Sequence, residues 1–278
     1  MTFLSSFLLG LVQGIAEFLP ISSSGHLAIA EHFLGQAGVP ATPDFFDVLL
    51  HLGTLVAVFA AYWQDIRDMI VELIDGVRDL VRGTTPNPIP PARRMILLII
   101  VGTLPLFVVL PIKDLVEGAM SNVTFVSFAL LATGFILFFS DRMARGRKTE
   151  RTATVLDALL VGCAQALGTL PGISRSGITI SAGMLRGYDR TFAVRFSFLM
   201  SLPAVFGATL LELIDAVQAG IDTSLLPVYL VGMLVAGVVG YFAIRLVNLL
   251  AGKGKFGAFA YYCWAAGAIS LAASLAGL

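Results

Sequence analysis

Residues 10–25 read GLVQGIAEFLPISSSG, and residues 162–177 read GCAQALGTLPGISRSG. Aligned without a gap, the two stretches share Gly10/Gly162, Gln13/Gln165, Ile21/Ile173, Ser22/Ser174, Ser24/Ser176 and Gly25/Gly177. Both place polar side chains, proline and glycine inside very apolar surroundings. Interrupted elements in corresponding halves of a membrane chain are the best sequence indication of a shared internal site. We therefore expect a duplicated chain whose halves build one site together.

The composition is typical of a membrane protein. The chain has 278 residues, of which 57% are hydrophobic and 13% are charged, and its mean hydropathy is +0.89. Soluble domains carry about 25% charged residues. The formal net charge is zero, so nothing indicates a nucleic-acid partner, and membrane lipid is the expected surrounding. Cys163 and Cys263 show neither metal-site nor disulfide spacing.

The hydropathy pattern predicts an all-α polytopic membrane protein. A spanning helix needs roughly 20 mostly apolar residues, and six stretches qualify: 45–63, 95–112, 123–140, 193–214, 226–250 and 256–277. Segments 2–35 and 153–187 are instead interrupted by proline and serine-rich turns, which predicts two short helices around each turn. Broken backbone at membrane depth must be covered by protein or by a wet cavity. We expect both segments to be re-entrant hairpins, with His26 beginning the second helix of the first.

The two halves are predicted to be inverted relative to each other. Residues 1–140 and 153–278 each hold one hairpin and three spans. Because three is an odd number, the second half is inverted relative to the first. The connector 141–152 joins the halves within one structural domain. Lysine and arginine concentrate in the connections 64–94, 141–152, 188–192 and 251–255, whereas 113–122 and 215–225 hold only Lys113. By the positive-inside rule the first four connections are cytoplasmic. Both termini are then expected on the outer side.

Residues 65–82 combine charged and apolar side chains in an amphipathic pattern. We expect a helix at the cytoplasmic interface, acting either as a lipid or partner contact or as a solvated connector.

The first hairpin carries candidate groups for binding and chemistry. Gln13 and Glu17 share a helix face because they are four residues apart. The turn that follows contains Ser22, Ser23, Ser24 and Gly25, and then His26. Serine and glycine favour a helix start, where free N–H groups and hydroxyls can bind an anion. Ser22 has the alternative of bonding its own backbone, whereas an ionisable Glu17 at membrane depth is functional by default.

The second hairpin supplies a positive charge. It carries Arg175 at the position of Ser23, within a turn formed by Ser174, Arg175, Ser176 and Gly177. The planar guanidinium suits phosphate oxygens. If the two tips meet, Arg175 and both serine-rich turns converge on one anion. Asp47 and His51 either line this pocket or have a capping or interfacial role.

The stretch QGIAEFLPISSSGH (13–26), followed by PGISRSG (171–177), resembles the undecaprenyl-diphosphate phosphatase family of the bacitracin-resistance type. FDVLLHLGTL (46–55) and RFSFL (195–199) extend the resemblance over nearly the whole chain. The resemblance implies a bacterial inner (cytoplasmic) membrane enzyme with an inverted-repeat fold. It also implies hydrolysis of undecaprenyl diphosphate to the monophosphate that carries cell-wall precursors, and a requirement for a divalent cation, Mg²⁺ or Ca²⁺.

The resemblance assigns catalytic roles to Glu17, Ser23, His26 and Arg175. The first family motif has Glu or Gln at the position of Gln13, and Gln there removes one possible metal-binding carboxylate. Glu17 and the Gln13 carbonyl are therefore the expected metal ligands. Phosphate binding is expected from the remaining residues of the two turns: Ser22, Ser24, Gly25, Ser174, Ser176 and Gly177.

The expected chemistry is phosphoryl transfer at the outer membrane face. His26, Ser23 or water is the nucleophile, and the sequence does not choose among them. The alternative is a transporter or flippase of an anionic polyprenyl lipid, because inverted repeats with broken helices also describe carriers; a channel is a weaker third possibility. Glycines such as Gly232, Gly237 and Gly240 permit close helix contact, so a homodimer is a further expectation.

Overall fold

The structure, a computed structural model, describes residues 1–36, 44–84, 86–219 and 223–276. Regular structure in these ranges is helical, apart from an isolated β-bridge between Lys148 and Tyr188. The α-helices are α1 (Phe3–Phe18), α2 (Ser23–Gln36), α3 (Asp44–Ala61), α4 (Trp63–Arg82), α5 (Pro91–Thr103), α6 (Lys113–Gly118), α7 (Val123–Met143), α8 (Val155–Leu167), α9 (Arg175–Leu185), α10 (Arg190–Ala219), α11 (Leu226–Gly252) and α12 (Phe259–Leu275). Short 3₁₀ turns continue α5 to Ile112 and precede α7, α11 and α12.

Five helical segments of the described chain are long and apolar enough to cross a membrane: Pro91–Ile112, Val123–Met143, Arg190–Gln218, Thr223–Gly252 and Phe256–Leu275. They coincide with five of the six predicted spans, although residue 277 of the last prediction lies outside the described residues. The remaining prediction, 45–63, falls on α3. This helix is long and apolar enough to cross a membrane when it is taken together with α4, to which it is joined by an 83° bend. The chain is thus a polytopic helical membrane protein.

Helix α4 confirms the amphipathic helix predicted over 65–82. Its charged residues alternate with exposed apolar side chains such as Trp63, Leu73 and Leu80. It ends at Gly83, whose left-handed backbone closes the helix with two backbone hydrogen bonds. The bend at Tyr62 therefore separates an apolar helix from one that has a polar face.

Both interrupted segments form two helices around a short break, as predicted: α1 with α2, and α8 with α9. The helix starts have the same capping chemistry, since Thr2 and Thr154 each form a capping box. One prediction is wrong in detail, because α2 begins at Ser23 and not at His26. The Ser22 hydroxyl accepts a hydrogen bond from the Gly25 N–H, which allows the helix to begin earlier.

Each hairpin packs against a span from the other half of the chain. Helix α1 lies along α11, and α8 lies along α5. The duplicated Gly10 and Gly162 sit at these contacts: a Cβ at Gly10 would lie 2.4 Å from the Gly232 carbonyl oxygen, and one at Gly162 would lie 2.3 Å from that of Gly102. The repeated glycine is therefore explained by close helix packing, which a side chain would prevent.

The glycines of α11 pack inside the chain. Gly232 faces Phe46 and Ser6, Gly237 faces Gly53, and Gly240 faces Phe18. Because intramolecular contacts account for this small-residue face, it no longer supports the expected homodimer.

Candidate active site

The two hairpin tips are built in the same way. Ser22 and Ser174 are buried, and their hydroxyls accept hydrogen bonds from the N–H groups of Gly25 and Gly177, both at 3.1 Å. The hydroxyl of each also lies near that of the serine two residues on, at 3.4 Å for Ser22–Ser24 and 3.3 Å for Ser174–Ser176. The observed role of Ser22 and Ser174 is thus to start α2 and α9, and their contact with phosphate remains a prediction.

The second tip is anchored to α7. The Thr133 hydroxyl donates to the Gly172 carbonyl oxygen at 3.1 Å and accepts from the Ser174 N–H at 3.2 Å. Gly172 has φ +88°, a conformation that side chains disfavour. These bonds fix the backbone immediately before Arg175.

The tips touch each other at glycines. A Cβ on Gly25 would lie only 2.9 Å from the Gly172 Cα atom. A further link is the Ser176 hydroxyl, which donates to the Leu19 carbonyl oxygen at 3.5 Å. The two tips therefore meet, as a site shared by both hairpins requires.

Glu17 joins the two hairpins. Its Oε1 accepts a hydrogen bond from Arg175 Nη2, and its Oε2 accepts one from the Ser23 hydroxyl at 3.0 Å. Gln13 Nε2 donates to the same Oε2 at 3.3 Å. The Glu17 side chain is 6% exposed and that of Arg175 is 28% exposed. Ser23 and Arg175 occupy equivalent positions of the two repeats, and each binds one oxygen of the Glu17 carboxylate. These two contacts compensate the free-energy cost of burying the carboxylate charge.

His26 is held by contacts outside this pair. Its Nδ1 lies 2.7 Å from the Ser22 carbonyl oxygen, and its Nε2 lies 2.7 Å from the Tyr262 hydroxyl. Tyr262 belongs to α12 and stacks on the imidazole, with ring centroids 5.5 Å apart. Tyr262 is not predictable from the sequence, because an aromatic residue in an apolar span has no local signal that distinguishes it from core or lipid-facing residues.

A small polar pocket adjoins the Glu17–Arg175 pair. Its lining comprises Glu17, Phe18, Gln165, Arg175, Ser176, Thr179, Ser197, Phe198 and Ser201. Thr179 and Ser197 share a hydrogen bond of 2.6 Å. Gln165 Oε1 is buried and has no partner within the described residues. Glu17, Arg175 and Ser176 of this lining were predicted site residues, and Gln165 is the duplicate of Gln13. No sequence signal indicated Thr179 or Ser201.

His51 lies on α3 and contacts residues outside the Glu17–Arg175 pair. Its Nδ1 is 3.0 Å from the Asp47 carbonyl oxygen and 3.7 Å from Glu212 Oε2. Neither His51 nor Asp47 is among the residues that line the pocket, and a pocket-lining role for these two residues stays a prediction.

Comparison with known proteins identifies relatives over nearly the whole chain. The family described as bacitracin resistance protein BacA matches residues 6–269. An undecaprenyl-diphosphatase of Syntrophotalea carbinolica is 41% identical over 275 residues, covering 99% of this chain and 100% of the relative. An undecaprenyl-diphosphatase of Halothermothrix orenii is 39% identical over 260 residues, covering 93% of both chains. One of Methanosphaera stadtmanae is 39% identical over 278 residues, covering 98% of both.

Proposed function

We propose that this chain, which belongs to the bacitracin resistance protein BacA family, hydrolyses undecaprenyl diphosphate to undecaprenyl phosphate and inorganic phosphate. The observation that carries the proposal is the Glu17 carboxylate bound on one oxygen by Ser23 and on the other by Arg175. A hydroxyl, a carboxylate and a guanidinium from two hairpins thereby meet at one partly buried point. This set matches the needs of phosphoryl transfer, which depends mainly on positioning and on stabilising charge.

Arg175 is the proposed phosphate-binding cation. In the structure its guanidinium neutralises Glu17, and a substrate diphosphate would compete for the same fork of N–H donors. Ser24 and Ser176, beside the two helix starts, supply further donors. Charge that accumulates on the transferred phosphoryl group is then stabilised by donors that are already in position.

Glu17 is the proposed ligand of a divalent cation, Mg²⁺ or Ca²⁺. Within the described residues, no group of three His, Cys, Asp or Glu side chains could hold a metal by itself. One carboxylate beside the Ser23 hydroxyl is nonetheless joined by a third oxygen donor if the Gln13 amide, which here turns its Nε2 to Glu17, presents its carbonyl oxygen instead. This donor set fits Mg²⁺, which is commonly held by one or two carboxylates together with substrate phosphates. When bound, the cation would neutralise charge on the diphosphate.

The contacts favour Ser23 as the nucleophile. Its hydroxyl already donates to Glu17, the arrangement of a nucleophile beside its base. Attack by Ser23 Oγ on the terminal phosphorus would break its bond to the bridging oxygen and release undecaprenyl phosphate, while the Ser23 proton would pass to Glu17. Water would then hydrolyse the serine phosphate. His26 would act as acid or base in these proton transfers.

Acid-quench trapping during turnover tests this assignment. We expect an acid-stable phosphoryl group that is absent from Ser23→Ala. An acid-labile phosphoryl group that disappears in His26→Gln would instead make His26 the nucleophile, and trapping nothing would favour direct attack by water.

The proposed membrane arrangement consists of six transmembrane helices and two re-entrant hairpins. They form two inverted repeats, over residues 1–140 and 153–278. The matching caps of the hairpins and their exchanged packing on α11 and α5 support it. The charge distribution supports a multi-pass protein of the bacterial inner membrane with both termini outside. In this arrangement the polyprenyl chain stays in lipid while the diphosphate reaches the hairpin tips from the outer face.

The function is tested by phosphate release from undecaprenyl diphosphate with purified protein in detergent. We expect turnover with Mg²⁺ or Ca²⁺ and its loss with a chelator. Folded, metal-supplied protein that releases no phosphate would contradict the proposal. Lipid movement across vesicles under those conditions would then favour the transporter or flippase.

Contact between the hairpin tips should control the rate. Gly25→Ala would place a Cβ 2.9 Å from the Gly172 Cα and 3.0 Å from the Ser22 Oγ, so the tips must move apart. Because small misplacements of reacting groups can cost about 10²-fold, we expect kcat to fall by about 10-fold or more. The matched control is Gly207→Ala, where an added Cβ meets nothing within 4 Å. Equal rates for the two variants would show that tip spacing does not matter.

A further inference from the structure

Tyr262 contacts His26 through both its ring and its hydroxyl. The two rings stack with an interplanar angle of 15°, and the Tyr262 hydroxyl lies 2.7 Å from His26 Nε2. These two contacts constrain different motions: stacking fixes the plane of the imidazole, and the hydrogen bond fixes its rotation within that plane.

The other ring nitrogen determines the tautomer. His26 Nδ1 lies 2.7 Å from the Ser22 carbonyl oxygen. A carbonyl oxygen can only accept, so Nδ1 must carry a hydrogen. In the neutral ring Nε2 then holds the lone pair, and the Tyr262 hydroxyl donates to it. The Ser22 carbonyl thus selects the tautomer, and the Tyr262 hydroxyl holds the ring in the orientation that keeps this bond. Nε2 is left as the nitrogen able to accept a proton or attack phosphorus.

Helix α12 is fixed against the tip of the first hairpin beside Tyr262. The neighbouring Cys263 is buried, and its Sγ donates to the Pro20 carbonyl oxygen at 3.5 Å. Two consecutive residues of α12 thus contact the tip, one at the backbone before Ser22 and the other at His26. Tyr262 is therefore held at a fixed distance from the turn that carries Ser23.

We propose that Tyr262 is a positioning residue for the hydrolysis: stacked on His26 and bonded to its Nε2, it holds the ring against the Ser22 carbonyl, and so in the Nδ1-protonated tautomer, until the Nε2 lone pair accepts a proton in the reaction. The inference rests on the proposed function, in particular on the role of His26 in proton transfer. Helix α12, which lies outside both hairpin motifs, thereby contributes a residue to the site.

Tyr262→Phe isolates the hydroxyl, because the ring that stacks on His26 is kept. We expect kcat to fall about 10- to 100-fold, by analogy with the loss of a partner that orients a metal-ligating histidine, with KM changed by less than about 2-fold. Nitrogen NMR of the substrate-free protein labelled with ¹⁵N-histidine should show one His26 tautomer in the wild type and a mixture in Tyr262→Phe. The chain has three histidines, and His26→Gln identifies the signals of His26.

Tyr261→Phe is the matched control. Tyr261 is the adjacent residue of α12, is 61% exposed and contacts Phe138 and Trp264. It should leave both kcat and the His26 tautomer unchanged. A wild-type kcat or an unchanged tautomer in Tyr262→Phe would overturn the positioning role. If His26→Gln kept full activity, the proposed role of His26 would fall and this inference with it. If the wild type released no phosphate, the proposed function would fail on its own, whatever the NMR result.

Discussion

Replacing Arg175 with methionine is expected to lower kcat/KM for undecaprenyl diphosphate about 10³-fold or more. A single arginine placed on a transferred phosphoryl group is worth about 10³ to 10⁵ in rate. Arg175 is the residue that the second hairpin brings to Glu17. Arg175→Lys should recover only part of the loss, since a lysine ammonium retains the charge without the planar fork. The measurement is phosphate release under saturating metal.

The same substitution should also destabilise the substrate-free protein. Glu17, 6% exposed, would lose its cation, and removing one partner of a buried pair costs about 3 kcal/mol or more. Glu17→Gln introduced into the Arg175→Met chain removes the uncompensated charge. We therefore expect the double variant to be more heat-stable than Arg175→Met and yet equally inactive, which separates folding from chemistry.

Arg245→Met is the matched control for these variants. Arg245 contacts Tyr241 on its own helix, so the rate and the unfolding temperature should stay close to those of the wild type. Activity within about 10-fold of wild type in Arg175→Met would contradict the proposed contact with the phosphoryl group, because that contact is worth at least about 10³-fold.

Replacing Asp157 with asparagine is expected to be the most destabilising single change outside the site. Asp157 is fully buried at the start of α8. Its carboxylate accepts hydrogen bonds from Lys148 Nζ at 2.7 Å, Arg186 Nε at 2.9 Å and the Thr154 N–H at 3.0 Å. Burial alone would raise the pKa of Asp157, but the hydrogen bonds from Lys148, Thr154 and Arg186 outweigh it and lower that pKa. The group is therefore charged at neutral pH and ties the connector and the end of α9 to the start of the second hairpin.

Asp157→Asn keeps the shape and removes the charge shared by two cations. We expect a loss of about 3 kcal/mol, which is a fall of roughly 5–10 °C in the unfolding temperature for a chain of this size. Thermal unfolding in detergent measures it. Asp75→Asn is the control, because the Asp75–Arg78 pair is exposed and such pairs contribute at most about 1 kcal/mol. Equal unfolding temperatures for the two variants would show that the buried carboxylate contributes little.

Much of the architecture could be read from local patterns. The spans, the amphipathic helix and the breaks at the two serine-rich turns depend on composition, periodicity and capping, which act over a few residues. The start of α2 was placed three residues too late, because the Ser22 cap was read as part of a longer turn. The duplicated glycines were noted, but their partners on α11 and α5 could not be known, since helix pairing is not encoded in either helix alone.

The sequence by itself determined that this is a polytopic helical membrane protein with two interrupted, serine-capped hairpins, one of which carries Glu17 and the other Arg175. Only the tertiary structure decided that Glu17 and Arg175 form a hydrogen-bonded pair and that Tyr262 contacts His26. It also decided which further residues line the pocket: Gln165, Thr179, Ser197 and Ser201. The physical reason is range. Helix starts and apolar faces are set by neighbours in sequence, whereas contacts between residues more than 100 positions apart exist only after the helices have packed.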